Sequence, residues 1–326
     1  MKAGKDRVPL QPYRIEVTFP DLARWQSGNS GIDHVFTLDS GLPGPHVMVN
    51  ALTHGNEVCG AIVVDELLQR GIRPQRGKLT LAFANVAAYR RFDPADPDRA
   101  RFIDEDFNRI WSASVLDGPR TSTELRRARA LRPVINTVDY LLDLHSMHES
   151  CAPLLLSGPC DKGIDFARQL GFPAHIVVDA GHAQGCRLRD YAGFGDAASP
   201  KNALLVECGQ HWEKAAVVVA RQVTARFLQL LQVIREEALV DWLVLPTEPQ
   251  QVIRVTDAVV ANSRNFRFTE DYRGLEIIAQ AGTRIATDGT NEIRTPYNDC
   301  VLIMPSLRQL APGVTVVRFG KINTNR

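Results

Sequence analysis

The stretch His46-Val47-Met48-Val49-Asn50-Ala51-Leu52-Thr53-His54-Gly55-Asn56-Glu57 decides how this chain is read. Its first seven residues form an apolar run of strand length. Thr53 to Asn56 carry turn chemistry, and Glu57 opens an apolar stretch of helical period. Strand, tight turn and helix make the repeating unit of an α/β fold, and this one leaves His54 and Glu57 at the strand's C-terminal edge. Set three apart at the first turn of a helix, the two side chains can face one point. A histidine from elsewhere would complete a three-ligand set and leave the fourth position of a zinc ion open. Catalytic zinc needs that open position, whereas structural sites favour closed, cysteine-rich sets.

The third ligand is best sought at the end of another strand. Tyr140-Leu141-Leu142-Asp143-Leu144-His145 is an apolar run that stops on a histidine just before the polar stretch Ser146 to Ser150. On an extended chain Asp143 shares a face with His145, where a carboxylate orients a metal-bound imidazole. An isolated HxxE or strand-end histidine is common by chance. The weight comes from both lying at strand-to-loop transitions, where open α/β sheets place their ligands. Glu207 ends a third apolar run, Ala203-Leu204-Leu205-Val206. A carboxylate there can take a proton from metal-activated water and return it to a leaving amine. His211 and Glu213, in the following turn, rank below it.

Four motifs in this order, His54-Gly55-Asn56-Glu57, Arg101-Phe102-Ile103-Asp104-Glu105-Asp106-Phe107-Asn108-Arg109, Asp143-Leu144-His145 and Val206-Glu207-Cys208-Gly209, resemble those of the succinylglutamate desuccinylase/aspartoacylase family, a branch of the zinc carboxypeptidase-like hydrolases. The resemblance implies an amidohydrolase that removes an acetyl or succinyl group from the nitrogen of a small amino acid, with one Zn²⁺ per chain on His54, Glu57 and His145. It implies that Arg101 lies beside the metal and polarises the scissile carbonyl. Asn108 and Arg109 would grip a substrate carboxylate, and Tyr297 is a further candidate for substrate contact. Taken alone, these arginines would instead pair with Asp93, Asp96, Asp98, Asp104 and Asp106 on the surface.

The substrate is less determined. Aspartoacylase carries a further arginine for a second carboxylate a short way before its glutamate, but Ala197 and its neighbours offer none here. Arg187 and Arg189 are the nearest on that side and would serve only if their loop folds back. A neutral or basic N-acyl amino acid is therefore as well suited as a dicarboxylic one. A zinc carboxypeptidase acting on short peptides and a catalytically silent carboxylate-binding protein are the alternatives.

Strand-like and helix-like segments alternate through the first two-thirds, so the expected core is a mixed, mostly parallel sheet with helices on both faces. Strands are expected at 46–52, 78–84, 140–145, 153–157, 175–178 and 202–207, and helices at 57–70, 122–137, 160–170 and 212–236. From about residue 240 short β tracts replace long helices, at 252–255, 275–278, 283–286, 300–304 and 314–319. The division expected is a hydrolase domain over 1–240 and a small β-rich domain over 241–326, able to cap a cleft or mediate assembly.

With 326 residues, 44% of them hydrophobic, the chain can bury a substantial core. A net charge of +1 gives no field for nucleic acid or an anionic membrane. The cluster Arg126-Arg127-Ala128-Arg129 reads as a solvated helix face. The first twenty residues lack the apolar core of a signal peptide, and no apolar run approaches membrane-spanning length, so a cytoplasmic protein is expected. The six cysteines form no CxxC pair and read as reduced, with Cys59 and Cys208 as buried packing residues. The sequence leaves a homo-oligomer open.

Overall fold

The computed structural model describes residues 13–182, 184–308 and 310–323. Most of the stretch examined for a signal peptide lies outside them. In chain order the first half comprises β1 (Val35–Asp39), β2 (His46–Ala51), α1 (Val58–Gln69), β3 (Lys78–Phe83), α2 (Val86–Tyr89), α3 (Ala113–Leu116), α4 (Thr123–Ile135) and β4 (Tyr140–Met147). There follow β5 (Leu154–Leu156), α5 (Asp161–Leu170), β6 (His175–Val178), β7 (Asn202–Gln210) and α6 (Lys214–Leu230). The remainder is β: β8 (Gln251–Val260), β9 (Phe266–Phe268), β10 (Ile277–Ile278), β11 (Arg284–Asp288), β12 (Asn291–Arg294), β13 (Cys300–Ile303) and β14 (Thr315–Ile322).

β2 is buried along its whole length between β3 and β4, both parallel to it, which is why its sequence is an unbroken apolar run and not an alternation. One face of the sheet packs on α1, α5 and α6 through Val47, Val49, Ala51, Val63, Phe166 and Phe227. The other packs on α4 through Met48, Leu141, Ala128 and Leu131. The expected mixed sheet with helices on both faces is thus present. Its order is β1-β3-β2-β4-β7-β5-β6-β8-β14-β13-β10, with β12-β11-β9 as a separate antiparallel sheet. The C-terminal strands continue the central sheet, because β8 pairs in parallel with β6 and β14 pairs antiparallel with β8. No strand was expected at β1. It is an edge strand that buries only Val35 and Leu38, too little for its sequence to announce it.

The chain goes from β2 to one side through α1 to β3, then to the other side through α4 to β4. This reversal opens a crevice at the C-terminal ends of β2 and β4, the place where open α/β sheets bind ligands. Leu52 leaves β2 in a left-handed conformation, φ 59°, fully buried, so the turn carrying His54 is reached through a strained residue. Gly55 touches the segment after β3 so closely that a Cβ would lie 2.3 Å from Tyr89 N and 2.4 Å from Ala100 O, and only glycine fits.

The arginine-bearing loop is held from below by a buried carboxylate. Glu124, in the first turn of α4, accepts the backbone N–H of Ile103 at 2.7 Å, Asp104 at 3.0 Å and Glu105 at 3.3 Å, and the side-chain amide of Asn85 at 3.1 Å. The cluster expected to be a solvated helix face is in part a set of ties. Arg127 donates to Phe83 O and Ala84 O, and Arg129 to Leu116 O and Gly118 O. Glu124→Gln turns one acceptor oxygen into a donor facing donors, whichever way the amide lies. It is expected to cost about 1–3 kcal/mol of stability, read as a lower urea midpoint. An unchanged midpoint would show that the loop is held by other contacts.

Candidate metal centre and its cavity

His54, Glu57 and His145 converge, all buried, with one ligand atom from each lying within 4.8 Å of the others. Each imidazole is wedged between two carboxylates. His145 Nδ1 is 2.8 Å from Glu57 Oε2 while its Nε2 is 2.8 Å from Asp143 Oδ2. His54 Nδ1 is 2.7 Å from Glu57 Oε1 while its Nε2 is 2.9 Å from Asp106 Oδ1. A neutral imidazole has one N–H, so one contact on each ring would set a lone pair against a lone pair. Only a further positive centre relieves this. If the outer Nε2–H groups donate to Asp106 and Asp143, both Nδ1 lone pairs point at the same place as the Glu57 oxygens. Two imidazoles and a carboxylate, each imidazole backed by a carboxylate, are a donor set that fits a divalent ion such as zinc.

The charges respond accordingly. Burial alone would lower His145, but the Asp143 and Glu57 carboxylates on either side hold it well above the usual imidazole range. Burial would raise Glu57, and the two histidines pull it well below the usual carboxylate range. Asp143 is fixed in turn, its Oδ1 accepting from Asn50 Nδ2 and Thr53 Oγ1, both at 2.8 Å.

Glu207 is the register partner of His145 across β4 and β7, at a point where the ladder slips before Met147. Burial and the neighbouring Glu57 push its carboxyl up to about 8, and its Oε2 has no hydrogen-bond partner. Arg101 lies against Asp106 at 3.2 Å and Glu57 at 3.5 Å, and Gly55 N–H donates to its carbonyl at 3.1 Å. Its Nη2 is also 3.0 Å from His54 Nε2. Both are donors when that ring nitrogen is protonated, and Asp106, accepting from each, holds them together. Asp106 is therefore part of the site, where sequence alone offered it as a surface partner.

These groups line a cavity of about 720 Å³ that also includes Asn108, Arg109, His182, Arg187, Met304, Thr315 and Arg318. The C-terminal β region thus supplies one wall. Asn108 is buried and its Oδ1 accepts the Leu188 N–H at 2.9 Å, while Trp111 N–H donates to Cys186 O. Those bonds fold the 184–190 segment back onto the arginine segment and bring Arg187 into the cavity. Burial, with Arg101, Arg187 and Arg318 nearby, takes Arg109 down to about 10 despite Asp106.

Other residues singled out from sequence lie elsewhere. Arg189 is buried outside the cavity, donating to Ser157 O and Ala203 O. Tyr297 does not line the cavity; its hydroxyl is 2.6 Å from Thr256 Oγ1, and Lys321 sits 4.3 Å from its ring centroid. His211 is buried beside the site, with its Nδ1 2.8 Å from Ser146 Oγ, and Glu213 is 3.4 Å from Ser150 Oγ. Cys59 and Cys208 are buried. Sequence reasoning missed Glu124 and Arg318. An arginine inside the apolar tract Val316-Val317-Arg318-Phe319 was the available signal for the latter.

Residues 43–234 match the family described as the succinylglutamate desuccinylase/aspartoacylase catalytic domain, and the chain belongs to that family. Among its relatives is an N-acyl-aromatic-L-amino acid amidohydrolase (carboxylate-forming) of Mus musculus. It is 29% identical over 191 residues, which are 52% of this chain and 56% of the mouse protein, so the match spans about half of each. Similar solved structures include a succinylglutamate desuccinylase from Vibrio cholerae, with TM-score 0.66 and 16% identity over 89% of this chain and 86% of that one. The ectoine utilization protein EutE (DoeB) from Ruegeria pomeroyi, in a product-bound structure, has TM-score 0.61 and 16% identity over 88% of each chain. Among the described residues no helix is long and apolar enough to cross a membrane.

A cation entering the site must displace the proton that the Asp143 and Glu57 carboxylates hold on His145. Zn²⁺ titrated into metal-free protein near neutral pH is expected to release about one proton or more per ion, with affinity rising as pH rises. Calorimetry in two buffers of different ionisation enthalpy counts the protons; no release would mean that His145 is already neutral.

Proposed function

We propose that this chain is a zinc-dependent amidohydrolase that removes an acyl group from the nitrogen of a small amino acid. The observation that carries the reading is Glu207, a half-buried carboxylate whose buried Oε2 has no hydrogen-bond partner, set in register beside a histidine of a His-Glu-His donor set. His54, Glu57 and His145 would hold the zinc, which when bound supplies a Lewis acid and makes water a stronger acid.

The chain's own groups do the rest. Glu207 takes a proton from the attacking water and passes it to the leaving nitrogen, a task for which a carboxyl with a raised pKa is suited. Arg101 aims its fork at the carbonyl oxygen, where negative charge develops. Arg109, with Asn108 beside it, binds the carboxylate of the amino acid. Asp106 and Asp143 hold the two imidazoles in orientation. The family membership and the mouse relative's named activity support an N-acyl amino acid as the substrate class.

The test is a panel of N-acetyl and N-succinyl amino acids and dipeptides, with amine release recorded for the zinc-loaded enzyme. Glu207→Ala is expected to keep its zinc and lose at least about 10²-fold in turnover, and His145→Ala to lose zinc and activity together. Full activity in Glu207→Ala would sink the assignment. Release from dipeptides alone would make the protein a carboxypeptidase.

A further inference from the structure

His211 is a buried titratable group beside the site that the proposed chemistry leaves unused. It is 1% exposed and does not line the cavity. Burial, then the nearby His148, keep its imidazole well below the usual range, so the ring is neutral. Its Nδ1 lies 2.8 Å from Ser146 Oγ, and its Nε2 has no hydrogen-bond partner. The bond to Ser146 forms in either tautomer, since a hydroxyl both donates and accepts. A buried polar ring with one nitrogen unmet is costly, so its place needs a reason.

The backbone departs from a regular ladder to put it there. β4 and β7 run in parallel register as far as His145 opposite Glu207. The next pair is Met147 with Gln210, so two steps on β4 are matched by three on β7. The extra residue is taken up around Gly209, whose φ is 119°. A Cβ on Gly209 would come no closer than 3.8 Å to any atom beyond its chain neighbours, so the backbone angle, and not space, calls for glycine. Bulges are rare between parallel strands, and next to active sites they re-aim side chains. Without this one Gly209 would stand opposite Met147, and the side chains that follow would change face.

Beyond the bulge two consecutive residues reach the neighbours of two metal-site residues. His211 N–H donates to Met147 O at 2.9 Å, and its ring meets Ser146, the residue after His145. Ser146 N–H in turn points at Glu57 Oε2, 3.4 Å away. Trp212, fully buried, donates its Nε1–H at 3.1 Å to the carbonyl of Asn56, the residue before Glu57. The strand that carries Glu207 is thereby tied to the segments that carry His145 and Glu57.

We infer that His211 is a positioning residue, aimed by the bulge at Ser146 and acting through it to hold Glu57 and His145 in place. The inference rests on the reading of His54, Glu57 and His145 as a zinc site, and extends it to a residue outside the cavity lining. Removing an outer partner of metal ligands costs about 10–100-fold in metal affinity or activity.

Zinc affinity, measured by competition with a chromophoric chelator, is compared in wild type, His211→Phe, His211→Asn, Ser146→Ala and the combination of His211→Phe with Ser146→Ala. Each is checked for folding by thermal melting. Phenylalanine keeps a ring without nitrogens, and asparagine keeps a polar atom near the place of Nδ1. His211→Phe and Ser146→Ala are each expected to bind zinc about tenfold or more weakly. His211→Asn should recover most of that loss. The combined variant should be no weaker than the weaker single one, because both changes remove the same bond. With zinc saturating, kcat of His211→Phe falls while KM holds, since His211 touches no part of the substrate. Unchanged zinc affinity in folded His211→Phe would overturn the assignment, and so would losses that add in the combined variant. If His211→Phe does not fold, Ser146→Ala, which removes one hydroxyl, decides alone, and wild-type affinity there overturns it. Zinc bound with these losses but no amide cleaved ends the deacylase reading and leaves the role of His211 standing. A wild-type chain that binds no zinc ends both.

Discussion

Glu57 standing between two imidazoles is the contact on which the site depends. One carboxylate faces His54 Nδ1 and His145 Nδ1 at 2.7 and 2.8 Å, and the far side of each ring meets another carboxylate. Four nitrogens and three acids in so small a volume satisfy one another only when positive charge is added. The protein brings this cluster and Glu207 together from three neighbouring strand ends, the turn after β2, the end of β4 and β7 alongside, with Asp106 added from the arginine-bearing loop. Parallel pairing puts all three at one edge, and the registers Asn50 with Asp143 and His145 with Glu207 set their heights.

Around that core the packing serves position more than bulk. Gly55 lets the ligand turn touch the segment after β3, and its N–H holds the carbonyl of Arg101. Glu124 holds Ile103, Asp104 and Glu105 from the opposite side. Asn108 then anchors the loop that carries Arg187. A chain of hydrogen bonds to the main chain therefore links the cation site to Arg187, and two of its links end on buried polar side chains, Glu124 and Asn108, whose bonds are costly to lose.

Much of this was legible in the sequence, for physical reasons. Buried parallel strands are unbroken apolar runs, so β2, β4 and β7 announced themselves along with the residues at their ends. His54, Glu57, His145 and Glu207 were visible because polar residues at such ends have few structural uses. Asp106, Glu124 and Arg318 were not, since a charged residue reads as exposed until long-range packing buries it. Arg187 could be named but not placed, because its position rests on the bond from Asn108 to Leu188. β1 was missed because an edge strand with two buried residues differs little from a loop. Tyr297 was a candidate for substrate contact by resemblance alone, and its hydroxyl is bonded to Thr256 on β8, away from the cavity lining.

The sheet does not stop where the long helices end. From Glu207 on β7 the ladder passes through β5, β6 and β8 to Arg318 on β14, with main-chain hydrogen bonds at every step. Glu207 and Arg318 are thus two marks on one rigid ruler. Sliding one against the other would break a row of backbone bonds, so the span between them is fixed by the fold.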